Sequence, residues 1–144
     1  MQANGSGIPG QKRRKNYPDA AEYYRKAVDL FKPLAEQYHT LQLRRHYATG
    51  CEKLASILKR LLPAEEITPL FETAAVERRT LAKDYTAPSI RHELAVALFN
   101  YGASVDSAEM IREALSIWEA LSQSWPEYEK YREKAKKALT KLTK

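Results

Sequence analysis

Side chains able to do chemistry are sparse in this chain, and their spacing argues against the common catalytic sites. None of His39, His46 and His92 has a cysteine or a second histidine at a metal-ligand spacing. The run His92-Glu93-Leu94-Ala95 begins like a zinc-protease helix, but that helix needs a second histidine one turn later, and Val96 stands there. Adjacent helical residues do not share a face, so His92 and Glu93 read as ordinary polar residues. Cys51 is the only cysteine. It has no partner for an internal disulfide, and it falls on an apolar helical stripe, which predicts a buried, inert thiol. Glu65 with Glu66, and Glu127 with Glu129, open helical runs where the helix dipole favours carboxylates, which is a sufficient reason for each pair. The glycine-rich signatures that cradle phosphates and the nucleophile elbow of acyl transfer are absent. The chain is therefore expected to be no enzyme, and no metal or cofactor is expected.

Charge is the next chemical feature. The formal net charge is +6 over 144 residues. Lys12, Arg13, Arg14 and Lys15 close a first segment without acids. Lys130, Arg132, Lys134, Lys136, Lys137, Lys141 and Lys144 face only Glu133 in the last fifteen residues, which leaves the body between them mildly acidic. A nucleic-acid-binding solenoid carries a continuous basic stripe, so the basic ends, with Lys134, Lys137 and Lys141 beside the first four, define only an alternative reading in which nucleic acid is the partner. No uncharged run is long enough to cross a membrane and no signal peptide is visible, which predicts a soluble, cytoplasmic domain without membrane contact.

The elements that must position these groups are helices. Residues 1–16 have glycines, a proline and no apolar periodicity, and read as a flexible basic arm. From residue 17 onward, apolar residues recur at three and four, the period of an amphipathic helix, and Leu94, Leu98, Tyr101 and Val105 form one such core-facing stripe. Six helices are predicted: Pro18 to Tyr38, with Pro33 kinking it or shifting the break; Leu41 to Leu62, with Pro63 ending it or starting the next element; Ala64 to Tyr85, unless Pro69 marks its true start; Ile90 to Val105, with Pro88 in its first turn; a fifth up to Pro126; and a sixth from there through Leu142. Asp106 or Ser107 caps the fifth. Gly102, costly in a helix interior, marks a place where a neighbouring backbone comes close.

An internal echo runs through these helices. Ala27, Ala74 and Ala114 recur at intervals of 47 and 40, as do Leu34, Leu81 and Leu121, and the aromatic residues Tyr38, Tyr85 and Trp125. A second series, Ala48, Ala95 and Ala135, has the same intervals. Each hairpin of such an array cannot bury its apolar face alone, so stacking makes the fold.

Leu98, Tyr101, Gly102 and Val105, followed by Ala114, Trp118, Leu121 and Pro126, resemble the spacing of the tetratricopeptide repeat, with Leu98, Val105 and Leu121 where tryptophan, tyrosine and alanine are usual. The resemblance spans about Ala20 to Leu142. It implies an all-α fold: a six-helix antiparallel hairpin stack in a right-handed superhelix. It also implies a non-enzymatic scaffold that binds a protein or peptide. In that family the first helix of each hairpin lines the concave side. Carried over to this chain, the groove positions are Val96, Phe99, Asn100 and Ala103; the repeat intervals add Thr49, Glu52, Lys53 and Ser56, and Lys136 with Thr140. Asn100 and Lys53 would suit a peptide carboxylate or carbonyl. Thr49 and Val96 interrupt a full carboxylate clamp. A recruitment domain belonging to a larger enzyme is a further alternative. The lysine-bearing polar face of the last helix predicts a monomer, with end-to-end dimerisation through the first or last helix as the alternative.

Overall fold

The computed structural model describes residues 17–144, so the basic arm expected over residues 1–16, with Lys12, Arg13, Arg14 and Lys15, lies outside the described residues. The described chain is all-α, with six helices and no strand among those residues: α1 (Tyr17–Tyr38), α2 (Leu41–Leu58), α3 (Ala64–Asp84), α4 (Pro88–Val105), α5 (Ala108–Ser124) and α6 (Glu129–Leu142). A single 3₁₀ turn, Pro126–Tyr128, leads into α6. None of these helices is long and apolar enough to cross a membrane. The chain forms two compact units, one ending at Ile67 and the other Thr68–Lys144.

In the first unit α1 and α2 pack against each other across a two-residue link. So short a link leaves only the antiparallel arrangement. His39 enters the left-handed region at φ 54°, and the Thr40 hydroxyl caps α2 by accepting from the Leu43 amide at 3.2 Å. Helix α2 buries a set of small residues, of which Gly50 lies against α1. Ala48 and Ala55 are fully buried, Cys51 nearly so, and a Cβ on Gly50 would lie 3.3 Å from a Val28 methyl. Helix α1 runs through Pro33, whose ring removes only one amide donor from the ladder.

Helix α2 stops at Leu58, four residues before the expected end. The Arg60 and Leu61 amides donate to carbonyls three residues back, at 3.2 and 2.8 Å. This tightening suits a chain that meets Pro63, since the residue before a proline is driven out of helical geometry. Helix α3 starts at Ala64, five residues ahead of Pro69, and continues through it.

The second unit is built on a core of Leu94 and Leu98 from α4, Ile111, Trp118 and Leu121 from α5, and three alanines of zero exposure, Ala95, Ala114 and Ala135, one from each of α4, α5 and α6. Each large side chain fully buried here contributes about 1.5–3 kcal/mol, and the alanines let the backbones approach. The α4–α5 turn is tight. Asp106 closes α4 in the left-handed region, and Ser107 starts α5 by accepting from the Met110 amide at 3.3 Å. A Cβ on Gly102 would lie 3.0 Å from both Met110 Cβ and Ile111 Cγ1, and 3.2 Å from the Ser107 carbonyl oxygen. Val105, assigned to the core stripe from its spacing, is instead exposed, because α4 ends there and the chain turns away.

The expected echo is visible in the helix bounds. Leu41 to Pro88 and Leu58 to Val105 are both 47 residues apart, so α2 and α4 begin and end in register. Ala48, Ala95 and Ala135 are all fully buried, and Tyr38, Tyr85 and Trp125 all fall at the C-terminal ends of α1, α3 and α5.

Candidate functional site

The second unit gathers chemistry where α4, α5 and α6 meet. His92 on α4 lies among aromatic rings, with centroids 4.6 Å from Tyr131, 5.0 Å from Tyr128 and 6.1 Å from Trp118. Trp118 Nε1 donates to His92 Nδ1 at 3.0 Å. Indole can only donate, so this bond places the imidazole proton on Nε2. Burial holds the His92 pKa below its ordinary value; the Glu93 carboxylate opposes this, and the Lys130 ammonium adds to it. Trp118 stacks on Tyr131 with centroids 5.5 Å apart. This cluster fastens α6 to α4 and α5, and it thereby sets what the outer side of α6 presents.

That side is a lysine ladder. Lys130, Lys134, Lys137, Lys141 and Lys144 recur at four, three, four and three residues, which confines them to a stripe about 80° wide. The first four, together with Glu133 and Ala138, line a groove of about 500 Å³ whose α4 side is Phe99. Phe99 is half-buried, its centroid 6.1 Å from Trp118, with Lys134 Nζ 5.3 Å above the ring. Lys130 Nζ lies 5.3 Å from the Tyr131 centroid.

The acid in the groove is already engaged. Arg132 Nη2 donates to Glu133 Oε2 at 2.7 Å and its Nε to Glu129 Oε2 at 3.0 Å; these hydrogen bonds keep the Glu129 carboxyl below the usual carboxylate range. Among the described residues none of the four groove lysines forms an ion pair. The groove is therefore an electropositive wall facing an aromatic one.

The expected site residues divide between the two units. Phe99, Lys134, Lys137 and Lys141 come together in this groove, uniting residues assigned from the sequence to two separate surfaces. Val96 and Ala103 share the Phe99 face of α4 by their three- and four-residue spacing, and Asn100 lies beside it, half-buried. Lys136 lines a neighbouring cleft of about 490 Å³ with Thr140 and Lys144, further round α6. Thr49 and Glu52, half-buried, and Lys53 and Ser56, exposed, belong to α2 in the first unit. Lys130 was not among the expected site residues, although its place at the head of the ladder was the available signal. Nothing in the sequence marked the aromatic surroundings of His92, which come from α5, the 3₁₀ turn and α6.

Cys51 is buried, as its stripe predicted. Among the described residues no group of three or more His, Cys, Asp or Glu side chains is placed to hold a metal ion. No family model, no curated protein and no solved structure matches the chain.

Proposed function

We propose that this chain is a tetratricopeptide-like helical-repeat module, stacking its hairpins in a right-handed superhelix, that binds a protein partner and performs no chemistry of its own. The single observation that carries the reading is the α4–α6 groove, where an aromatic side chain faces four lysines that have no acidic partner. A surface with an apolar anchor and a polar, charged rim is how proteins hold peptides. The matched bounds of α2 and α4 support the repeat architecture.

Nucleic acid is the second reading, favoured by the same lysines. Fluorescence anisotropy at about 150 mM salt, a level that screens weak surface attraction, separates the two. The probes are acidic, neutral and basic labelled peptides, alongside single-stranded and duplex oligonucleotides. At least one peptide class is expected to bind, and Phe99→Ala and Lys137→Glu are each expected to weaken it. Oligonucleotide binding that falls steeply with salt, with no peptide bound, would establish the second reading. No binding by any probe rejects both.

A further inference from the structure

We infer that the α4–α6 groove receives an acidic amphipathic helix of a partner protein, its carboxylates in register with the lysines of α6 and one bulky apolar side chain laid over Phe99. The inference rests on the protein-binding reading and narrows it to one chemical class and one conformation. The first argument is spacing. Lys130, Lys134, Lys137 and Lys141 lie at successive rises of about 6, 4.5 and 6 Å along the helix axis, and a second α-helix alongside α6 repeats those rises on its own face. An extended peptide presents same-face side chains about every 6.6 Å, and it loses register over the same length.

Charge complementarity supplies the acid. Glu133 is held by Arg132, so the groove offers ammoniums without a competing free carboxylate. The one α4 residue lining the opposite side is the uncharged Phe99, and Val96 and Ala103 stand at three- and four-residue steps from it on the same face of α4. The two walls together ask for a ligand acidic on one side and apolar on the next. A single-stranded nucleic acid fits less well, since such ligands stack successive bases on a row of aromatics, and the groove has one.

Lys134 links the two halves of this recognition. Its ammonium sits over the Phe99 ring, an attraction that keeps the ring covered. A carboxylate draws the ammonium away, because a charge-assisted hydrogen bond is stronger than an exposed cation–π contact. The ring is then free for an apolar side chain, so acidity both supplies ion pairs and uncovers the anchor.

The test is isothermal titration of the full chain at about 150 mM salt, near-physiological screening. One probe is a peptide of about 20 residues, long enough to form a helix, with Glu at three- and four-residue steps and Leu on the adjoining face. The other probes are a shuffled isomer of identical composition and a single-stranded DNA of similar length. The ordered peptide is expected to bind at least about tenfold more tightly than its isomer, and Lys137→Glu, on an exposed side chain, to weaken it by about tenfold. A peptide with Lys in place of one Glu should recover the loss in that variant. Equal affinity for the two isomers overturns the helical register while leaving the protein-binding reading intact. Binding of the neutral peptides of the anisotropy series, with neither acidic peptide bound here, overturns the acidic helix and leaves the protein-binding reading intact. DNA bound more tightly than both peptides, or binding untouched by Lys137→Glu, overturns the inference outright.

Discussion

His92 combines a half-buried imidazole with an acceptor role, and both work against protonation. A protonated Nδ1 would meet the Trp118 N–H as a second donor, and a cation would lie among rings in poorly solvated surroundings near Lys130. Its folded pKa lies below the unfolded value of about 6.5, so the unfolded state takes up the proton first. Stability is then complete above that unfolded value and is lost as pH falls from it towards the folded pKa. Thermal melts at about pH 7.5 and pH 5.5, on either side of that unfolded value, should show a drop for the native chain and a smaller one for His92→Gln. An equal drop in both would assign the acid sensitivity elsewhere. Gly102 and Asp106 predict opposite signs within one turn. Gly102→Ala drives a methyl against Met110, Ile111 and the Ser107 carbonyl, and overpacking of about 1–3 kcal/mol outweighs a propensity gain of about 1 kcal/mol. Asp106→Gly removes left-handed strain at φ 54° and should stabilise by about 1 kcal/mol. Urea midpoints of the two variants should move in opposite directions.

At the scale of elements, α3 is tied to the rest of the second unit by two ion pairs of different character. Arg78 is buried and reaches Glu93 on α4 at 3.1 Å, whereas Arg79 forms a two-pronged pair with Glu113 on α5, at 2.6 and 3.0 Å, on a half-exposed surface. Hydrogen bonding to Arg79 is the main reason the Glu113 pKa lies below the ordinary carboxylate value. Solvent screening limits the exposed pair to about 0.5–1 kcal/mol. Removal of the buried arginine takes a charge partner from Glu93 and leaves the space its side chain filled, so Arg78→Ala should cost about 3 kcal/mol, several times the effect of Arg79→Ala, by chemical denaturation. These elements also show what a sequence can carry. Apart from the end of α2, the helix limits were legible because apolar spacing, prolines and capping residues are local signals, and the buried Ala48, Ala95 and Ala135 were legible because they repeat. Val105 was misassigned because spacing does not say where a helix leaves its partner. The groove was half-legible: Phe99 and the lysines stood out singly, but their meeting depends on α6 packing beside α4, which the His92 ring cluster brings about across 26 to 39 residues of chain.

At the scale of the whole molecule, α1 presents exposed apolar side chains. Tyr23, Leu30 and Tyr38 are more than half exposed, at steps of seven and eight residues on one side of the helix. The aromatic residues among them end in hydroxyls that water satisfies, and Lys26 and Glu22 pair at 3.5 Å beside them, so the face is tolerable in solvent. Light scattering at about 100 μM, where weak self-association of comparable Kd would be half-formed, is expected to return a mass near 16.5 kDa. A doubled mass that reverts on Tyr23→Glu would instead assign α1 as a self-association face.

The two tryptophans differ in a way that makes the protein its own optical gauge. Trp118 is buried against Tyr131 and bonded to His92, whereas Trp125 is 39% exposed. With Trp125→Phe, emission would come from Trp118 alone, from a ring whose surroundings are supplied by α6. Detachment of that helix, by acid or by denaturant, would then be read as a red shift in a single fluorophore, and filling of the groove over Phe99, 6.1 Å away, as a change in its intensity.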